Sequence, residues 1–385
     1  MTVKLSTEIG QNFCYAPWTN IHINTTGTFK TCCAGTSEIG DLRQIPIQDL
    51  LADKKLIAIK KDLSTNSVNN NCQICARQEL HSSVSERNWY NSIADNQAIE
   101  LLNIDSFHLQ NLDIRWSNTC NLSCVYCDHE ASSQWANLKK IPVERLDYSN
   151  TLAGILEFID THKTTLKNLA LLGGEPLLQK ENESLLDSIN NDVSINVITN
   201  LSIPLQSNKI FHKLLEKNKV MWDISFETVE DKYEYVRHGS SWELITKNIK
   251  YLKECVKDKP NHSVGITAQY SVYNALNLSD IHEYFHSNRF PRVRWSELHY
   301  PRILSVEYLP HNYIDKAINQ LQKSVDYHND MPVQKKFMID MISSLTSKKS
   351  PTVNCQELLD WHALQEKTYW PNFPLKFSNL WPEYE

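Results

Sequence analysis

Between residues 107 and 310 the chain repeats one pattern, a short apolar or alternating run followed by a longer stretch with helical spacing. The runs Leu112–Trp116, Leu169–Leu172, Ile195–Thr199, Met221–Phe226, Val264–Tyr270 and Val293–Leu298 read as strands. Leu152–His162, Glu183–Asn190, Ile210–Lys217 and Trp242–Val256 read as helices between them. Strands alternating with helices predict βα units around a parallel sheet. Six units predict an α/β fold, a partial (β/α)6 TIM-like barrel, whose chemistry belongs at the C-terminal ends of the strands.

The flanks read differently. A period-two stretch, Asn20–Asn24, and a second run, Thr28–Thr31, meet at the turn Thr25-Thr26-Gly27 and predict a β-hairpin. One helix is expected from Ile47 to about Leu63, and a polar, helical connection from Ala76 to Asn103. Beyond Pro310 the spacing predicts helix to Leu345, then a tail rich in aromatic and proline residues, including Trp361, Tyr369, Trp370, Phe373, Phe377, Trp381 and Tyr384. So aromatic a tail is expected to pack over an open face or edge of the barrel. The expected domains are residues 1–103, 104–310 and 311–385.

Composition narrows this picture only a little. The formal charge of −6 argues against a protein that works by gripping phosphate backbones, so no nucleic-acid partner is expected. No apolar run is long enough for a membrane span, and the first residues show no signal peptide, so a cytoplasmic location is expected. On that expectation, the ten cysteines read as metal or redox residues rather than a disulfide framework.

Seven of the ten fall into two groups. Cys120, Cys124 and Cys127 come from one short stretch after the first strand. Three thiolates leave one iron of a four-iron cube open to a small molecule, whereas a structural zinc ion would lack its fourth ligand. Cys14, Cys32, Cys72 and Cys75 supply four thiolates, enough to saturate one centre; from spacing alone, zinc and an iron–sulfur cluster are level here. Cys33 competes with Cys32 for the second position.

Cys-x3-Cys-x2-Cys with Tyr126 before its last cysteine, followed by Gly173-Gly174-Glu175-Pro176 after the second strand, resembles the radical S-adenosylmethionine (SAM) superfamily. The Cys-x12-Gly-x4-Cys and Cys-x2-Cys pattern of the N-terminal part is similar to the start of the SPASM extension. With four ligands it is the abbreviated, Twitch-like form, and it selects Cys32. In most relatives this extension follows the barrel; here it precedes it. The resemblance implies a [4Fe–4S] cluster on Cys120, Cys124 and Cys127, and an auxiliary cluster on Cys14, Cys32, Cys72 and Cys75. It also implies SAM held by Tyr126, Gly173, Gly174, Glu175, Asn200, Ser225 and Glu227. Arg237 is a candidate for the SAM carboxylate, or else a surface arginine.

In that family one electron cleaves SAM to a 5′-deoxyadenosyl radical, which takes a hydrogen atom from substrate. The expected partners are therefore an electron donor such as flavodoxin or ferredoxin, and a substrate. SPASM and Twitch extensions favour a ribosomally made peptide (epimerisation, crosslink or oxidation); a sugar or aminocyclitol is the alternative. A zinc-stabilised binding module is the non-enzymatic alternative. Glu297 and His299 near the last strand are candidate catalytic groups, and Cys355 is a candidate hydrogen-atom donor by elimination. Cys255, on a predicted helix, is expected to be buried and inert.

Overall fold

The computed structural model describes residues 10–81, 85–94, 103–142, 148–328, 331–347 and 355–384. The predicted connection over residues 76–103 falls partly outside these; within them the helices Gln73–His81 and Glu86–Ile93 occupy it.

The fold is α/β. All six predicted strands form: β4 (Asn111–Ile114), β5 (Asn168–Leu171), β6 (Ser194–Thr199), β7 (Lys219–Ser225), β8 (His262–Tyr270) and β9 (Val293–Glu297). The N-terminal part adds β1 (Asn20–Ile23), β2 (Thr28–Lys30) and β3 (Gly40–Asp41). One sheet runs in the order β3-β2-β1-β4-β5-β6-β7-β8-β9. Consecutive neighbours from β4 onward are what repeated right-handed βα units produce.

The chain divides into two compact units. The first comprises residues 1–119, 143–197 and 207–221. Here β1 and β2 pair antiparallel, joined by a turn in which Gly27 takes φ of 82° and the Asn24 side chain accepts from the Thr26 and Thr28 N–H groups. β1 also lies parallel to β4, with Asn20 opposite Asn111 and Ile23 opposite Ile114. The hairpin thus extends the sheet, an arrangement that its own period-two pattern does not announce. The helix expected over Ile47–Leu63 is two helices, Ile47–Leu51 and Lys54–Ser64. Asp53 breaks it: its carboxylate accepts from the Lys55 N–H at 2.7 Å and caps the second helix.

The second unit comprises residues 120–142, 198–206 and 222–385. The predicted helical stretch after Pro310 forms as His311–Val325 and Pro332–Ser347. The aromatic tail is ordered and largely buried. Phe377 stacks on His362 at 3.7 Å, Trp381 donates its indole N–H to the Tyr273 carbonyl, and the Tyr384 hydroxyl donates to the Val272 carbonyl. Tyr273 and Val272 follow β8, so the tail closes over the loop at that strand's C-terminal end.

Candidate active site

The loop carrying Cys120, Cys124 and Cys127 is held from three sides by its own unit. Helix Ser133–Lys139 starts beside it: the Ser133 hydroxyl accepts from the Cys120 N–H, Ser132 donates to the Leu122 carbonyl at 2.6 Å, and the Trp135 indole donates to the Cys124 carbonyl at 2.8 Å. Opposite, the Ser123 and Val125 N–H groups donate to the carbonyls of His238 and Val236 at 2.9 and 3.0 Å. Gly239 permits this approach: its φ is 97°, and a Cβ there would lie 3.3 Å from the Asn121 carbonyl oxygen. Third, the Asn200 amide donates to Asn121 Oδ1 at 3.0 Å and points at Cys120 Sγ, 3.8 Å away. The Asn121 amide in turn donates to the Ser202 carbonyl.

These bonds tie down the loop's backbone and hold its thiols close to one another. Burial pushes the Cys127 thiol up, and the neighbouring Cys124 and Cys120 push it further. Three mutually repelling thiolates suit a positive centre between them. Arg237 stands at the same place. It is buried, so it is not a surface arginine; its fork grips Glu227, and its remaining terminal nitrogen lies 3.8 Å from Cys124 Sγ. The guanidinium also lies over the Tyr126 ring, 5.5 Å from its centroid. Ser225 ends β7 half-buried.

Gly173, Gly174 and Glu175 lie in the first unit, directly after β5. The Gly174 and Glu175 N–H groups donate to the carbonyls of Ser117 and Thr119, residues just ahead of Cys120 in sequence. Gly173 has φ of 127°, and a Cβ on Gly174 would sit 2.2 Å from the Thr119 carbonyl oxygen. Only glycine fits such a contact with backbone. Glu175 is fully buried, and its carboxylate accepts from the Leu177 N–H.

In the first unit one pocket is lined by Cys14, Cys32, Cys72 and Cys75 together with Thr31, Asn71 and Arg87. Burial raises the Cys14 and Cys32 thiols, and the other cysteines raise them further. Arg87 is fixed by a two-pronged pair with Glu79 at 2.9 and 2.6 Å. Sequence reasoning placed Arg87 in a connection and missed this role; twelve residues after Cys75, nothing in the local pattern signals it. Cys33 does not line the pocket. It is exposed and lies beside Glu86, Asp113 and Arg115.

The remaining candidates fall elsewhere. His299 is exposed and Glu297 half-buried at the end of β9. Cys355 opens helix Cys355–Tyr369, beside the Tyr313 side chain. Cys255 is half-buried on helix Trp242–Val256, less enclosed than its helical setting predicted.

Residues 114–285 match the family model of the radical SAM superfamily, and residues 14–76 match that of SPASM, an iron–sulfur cluster-binding domain. The chain thus carries a radical SAM domain, with a SPASM domain ahead of it in sequence. A curated relative, 7-carboxy-7-deazaguanine synthase of Clostridium acetobutylicum, is 29% identical over 163 residues, 41% of this chain and 66% of that protein. Among solved structures, SuiB of Streptococcus suis bound to S-adenosylmethionine is 15% identical, covering 84% of this chain and 70% of that one, with a TM-score of 0.43. Native anSMEcpe with bound AdoMet is 17% identical, covering 56% of this chain and 60% of that one, with a TM-score of 0.42. The chain thus spans less than two thirds of the curated relative and of anSMEcpe.

The two domains imply a SAM-binding [4Fe–4S] cluster and an auxiliary iron–sulfur cluster. The residues fit both. Each cysteine group is an all-thiol donor set, and the glycine pair of the radical SAM domain packs against the backbone just ahead of Cys120, where any Cβ would clash. Among the described residues, no three Cys, His, Asp or Glu side chains are gathered as a single metal ion requires.

Proposed function

We propose that this chain is a radical SAM enzyme that removes a hydrogen atom from a peptide substrate. Cys120, Cys124 and Cys127 hold the SAM cluster in this reading, and Cys14, Cys32, Cys72 and Cys75 hold the auxiliary cluster. The observation that carries it is the Cys120–Cys127 loop itself: its backbone is tied to the start of helix Ser133–Lys139 and to the carbonyls of Val236 and His238, while its three thiols lie close enough to act on one another. When bound there, a reduced cluster and SAM supply a carbon radical strong enough to break an unactivated C–H bond.

The chain's own residues do the rest. The glycines at 173 and 174 let the segment after β5 close on Arg115 and Thr119, just ahead of the cysteine loop, and the buried Glu175 offers its carboxylate to an ammonium group. Asn200 fixes the start of the cysteine loop through Asn121 and faces the Cys120 sulfur. Trp135, met edge-on by Tyr369 at 5.1 Å and at a tilt by Trp370 at 5.4 Å, shields the Cys124 carbonyl from water.

A peptide substrate is favoured by the SPASM domain, which in the family often accompanies peptide maturation. A small molecule is the second reading, because the curated relative is named for a small heterocyclic product. That match reaches only 41% of this chain, so it weighs less. Anaerobic incubation of reconstituted protein with SAM and dithionite should give 5′-deoxyadenosine. A preparation with full iron that neither cleaves nor binds SAM would refute the proposal.

A further inference from the structure

Arg237 divides its donors between two partners. It is 7% exposed, and Glu227, which holds it, is 1% exposed. Nε and Nη2 close on the Glu227 carboxylate at 2.7 and 2.5 Å. Nη1 points away from that fork and lies 3.8 Å from Cys124 Sγ, within reach of an N–H···S hydrogen bond. A guanidinium recognises a ligand carboxylate through its planar fork, and here the fork faces Glu227. The donor left over faces sulfur.

Resting on the cluster reading above, we propose that Arg237 is a positioning residue that sets the reduction potential of the cluster on Cys124 by donating an N–H to its thiolate, with Glu227 locking the geometry. Hydrogen bonds to cluster sulfurs, net charge and solvent exposure are what a protein uses to move such potentials. A cation-borne donor favours the more negative, reduced form and raises the potential. Arginine suits this task because it keeps its proton at every working pH. Glu227 offsets part of the charge, so the hydrogen bond is retained while the net field is small. Their place at the end of β7 and in the segment beyond it makes both SAM-contact candidates; their contacts point to the thiol instead.

The test is a redox titration of the anaerobically reconstituted full chain, followed by electron paramagnetic resonance. The signal that changes on adding SAM reports the cluster on Cys120, Cys124 and Cys127. Replacing both partners by neutral amides (Arg237→Gln with Glu227→Gln) should lower the potential of that signal and leave the auxiliary signal unmoved. Glu227→Gln alone should raise it, because the donor stays and the compensating charge goes. SAM affinity should change by no more than about threefold in either variant. A SAM-responsive potential that stays put in both variants overturns the proposal. So does a loss of more than about tenfold in SAM affinity, about 1.4 kcal/mol, with the potential unmoved, since that places Arg237 on the SAM carboxylate. Should the double variant fail to retain iron, Arg237→Lys keeps the charge and loses the fork; a lowered potential supports the proposal, and an unchanged one overturns it. A wild-type protein with iron but no SAM-responsive signal overturns the cluster reading itself, and the proposal with it.

Discussion

Two arginines stand beside cysteine groups in this chain, and a glutamate locks each. Arg87 is gripped by Glu79 beside Cys14, Cys72 and Cys75; Arg237 is gripped by Glu227 beside Cys124. The resemblance ends at the thiols. Arg87 walls a pocket ringed by four of them and gives its backbone N–H to Cys75. Arg237 turns a guanidinium N–H toward one of only three. Four thiolates complete a cluster and leave it suited to electron transfer. Three leave a position for a ligand, and the surroundings then have to hold both cluster and ligand. On the proposed assignment, the same Arg–Glu device would serve a closed centre in the first unit and an open one in the second.

Breaking the open centre should have the largest effect. Cys124→Ala is expected to reduce 5′-deoxyadenosine formation to background while the auxiliary iron stays. Full activity in that variant would show that the two groups have been assigned the wrong way round. Next comes the closed centre. Cys72→Ala with Cys75→Ala should remove about half the iron if both centres are four-iron cubes, and SAM binding should persist. Unchanged iron content would argue that only one group holds a cluster. The paired glutamates then sharpen the contrast. Arg87→Gln with Glu79→Gln should shift the auxiliary potential and leave the SAM-responsive signal in place, the reverse of the pattern expected for Arg237 and Glu227.

The two centres were not equally legible in the sequence. Thiol spacing within each group is local, so Cys-x3-Cys-x2-Cys and Cys-x2-Cys stand out, and β4 to β9 follow from apolar runs of ordinary length. What surrounds the thiols is nonlocal. Nothing in the segment Tyr235-Val236-Arg237-His238-Gly239 says that two of its carbonyls receive the N–H groups of Ser123 and Val125, or that Arg237 faces a thiol more than a hundred residues earlier. The resemblance made Glu227 at a strand end and Arg237 beyond it candidates for SAM, but the sequence could not tell a pair that satisfies itself from two groups waiting for a ligand. The hairpin shows the same limit: period-two alternation predicted β1 and β2, whereas the parallel pairing of β1 with β4 depends on partners ninety residues apart. Helix length failed at Asp53 because a capping aspartate within an apolar-periodic stretch reads as an ordinary polar position.

Gly239→Ala gives the smallest expected effect and the finest test of the difference between the centres. At φ of 97° an alanine is strained, at a cost of roughly 1–3 kcal/mol. Its Cβ would also press on the Asn121 carbonyl oxygen at 3.3 Å. The strain falls on the strap that carries the Val236 and His238 carbonyls, and thus on the residues either side of Cys124. Global stability should fall only modestly, because the core around Tyr233, Tyr235 and Trp381 is untouched. Iron retention at the triplet should become sensitive to dilution and to mild denaturant, while the quartet, whose pocket is lined by residues of the first unit, should hold its iron as before. The measurement is iron released against urea concentration in the variant and in wild type. If both centres lose iron in parallel, the strap contributes nothing specific to the open centre, and the cysteine loop must owe its rigidity to Ser133, Trp135 and Asn200 alone.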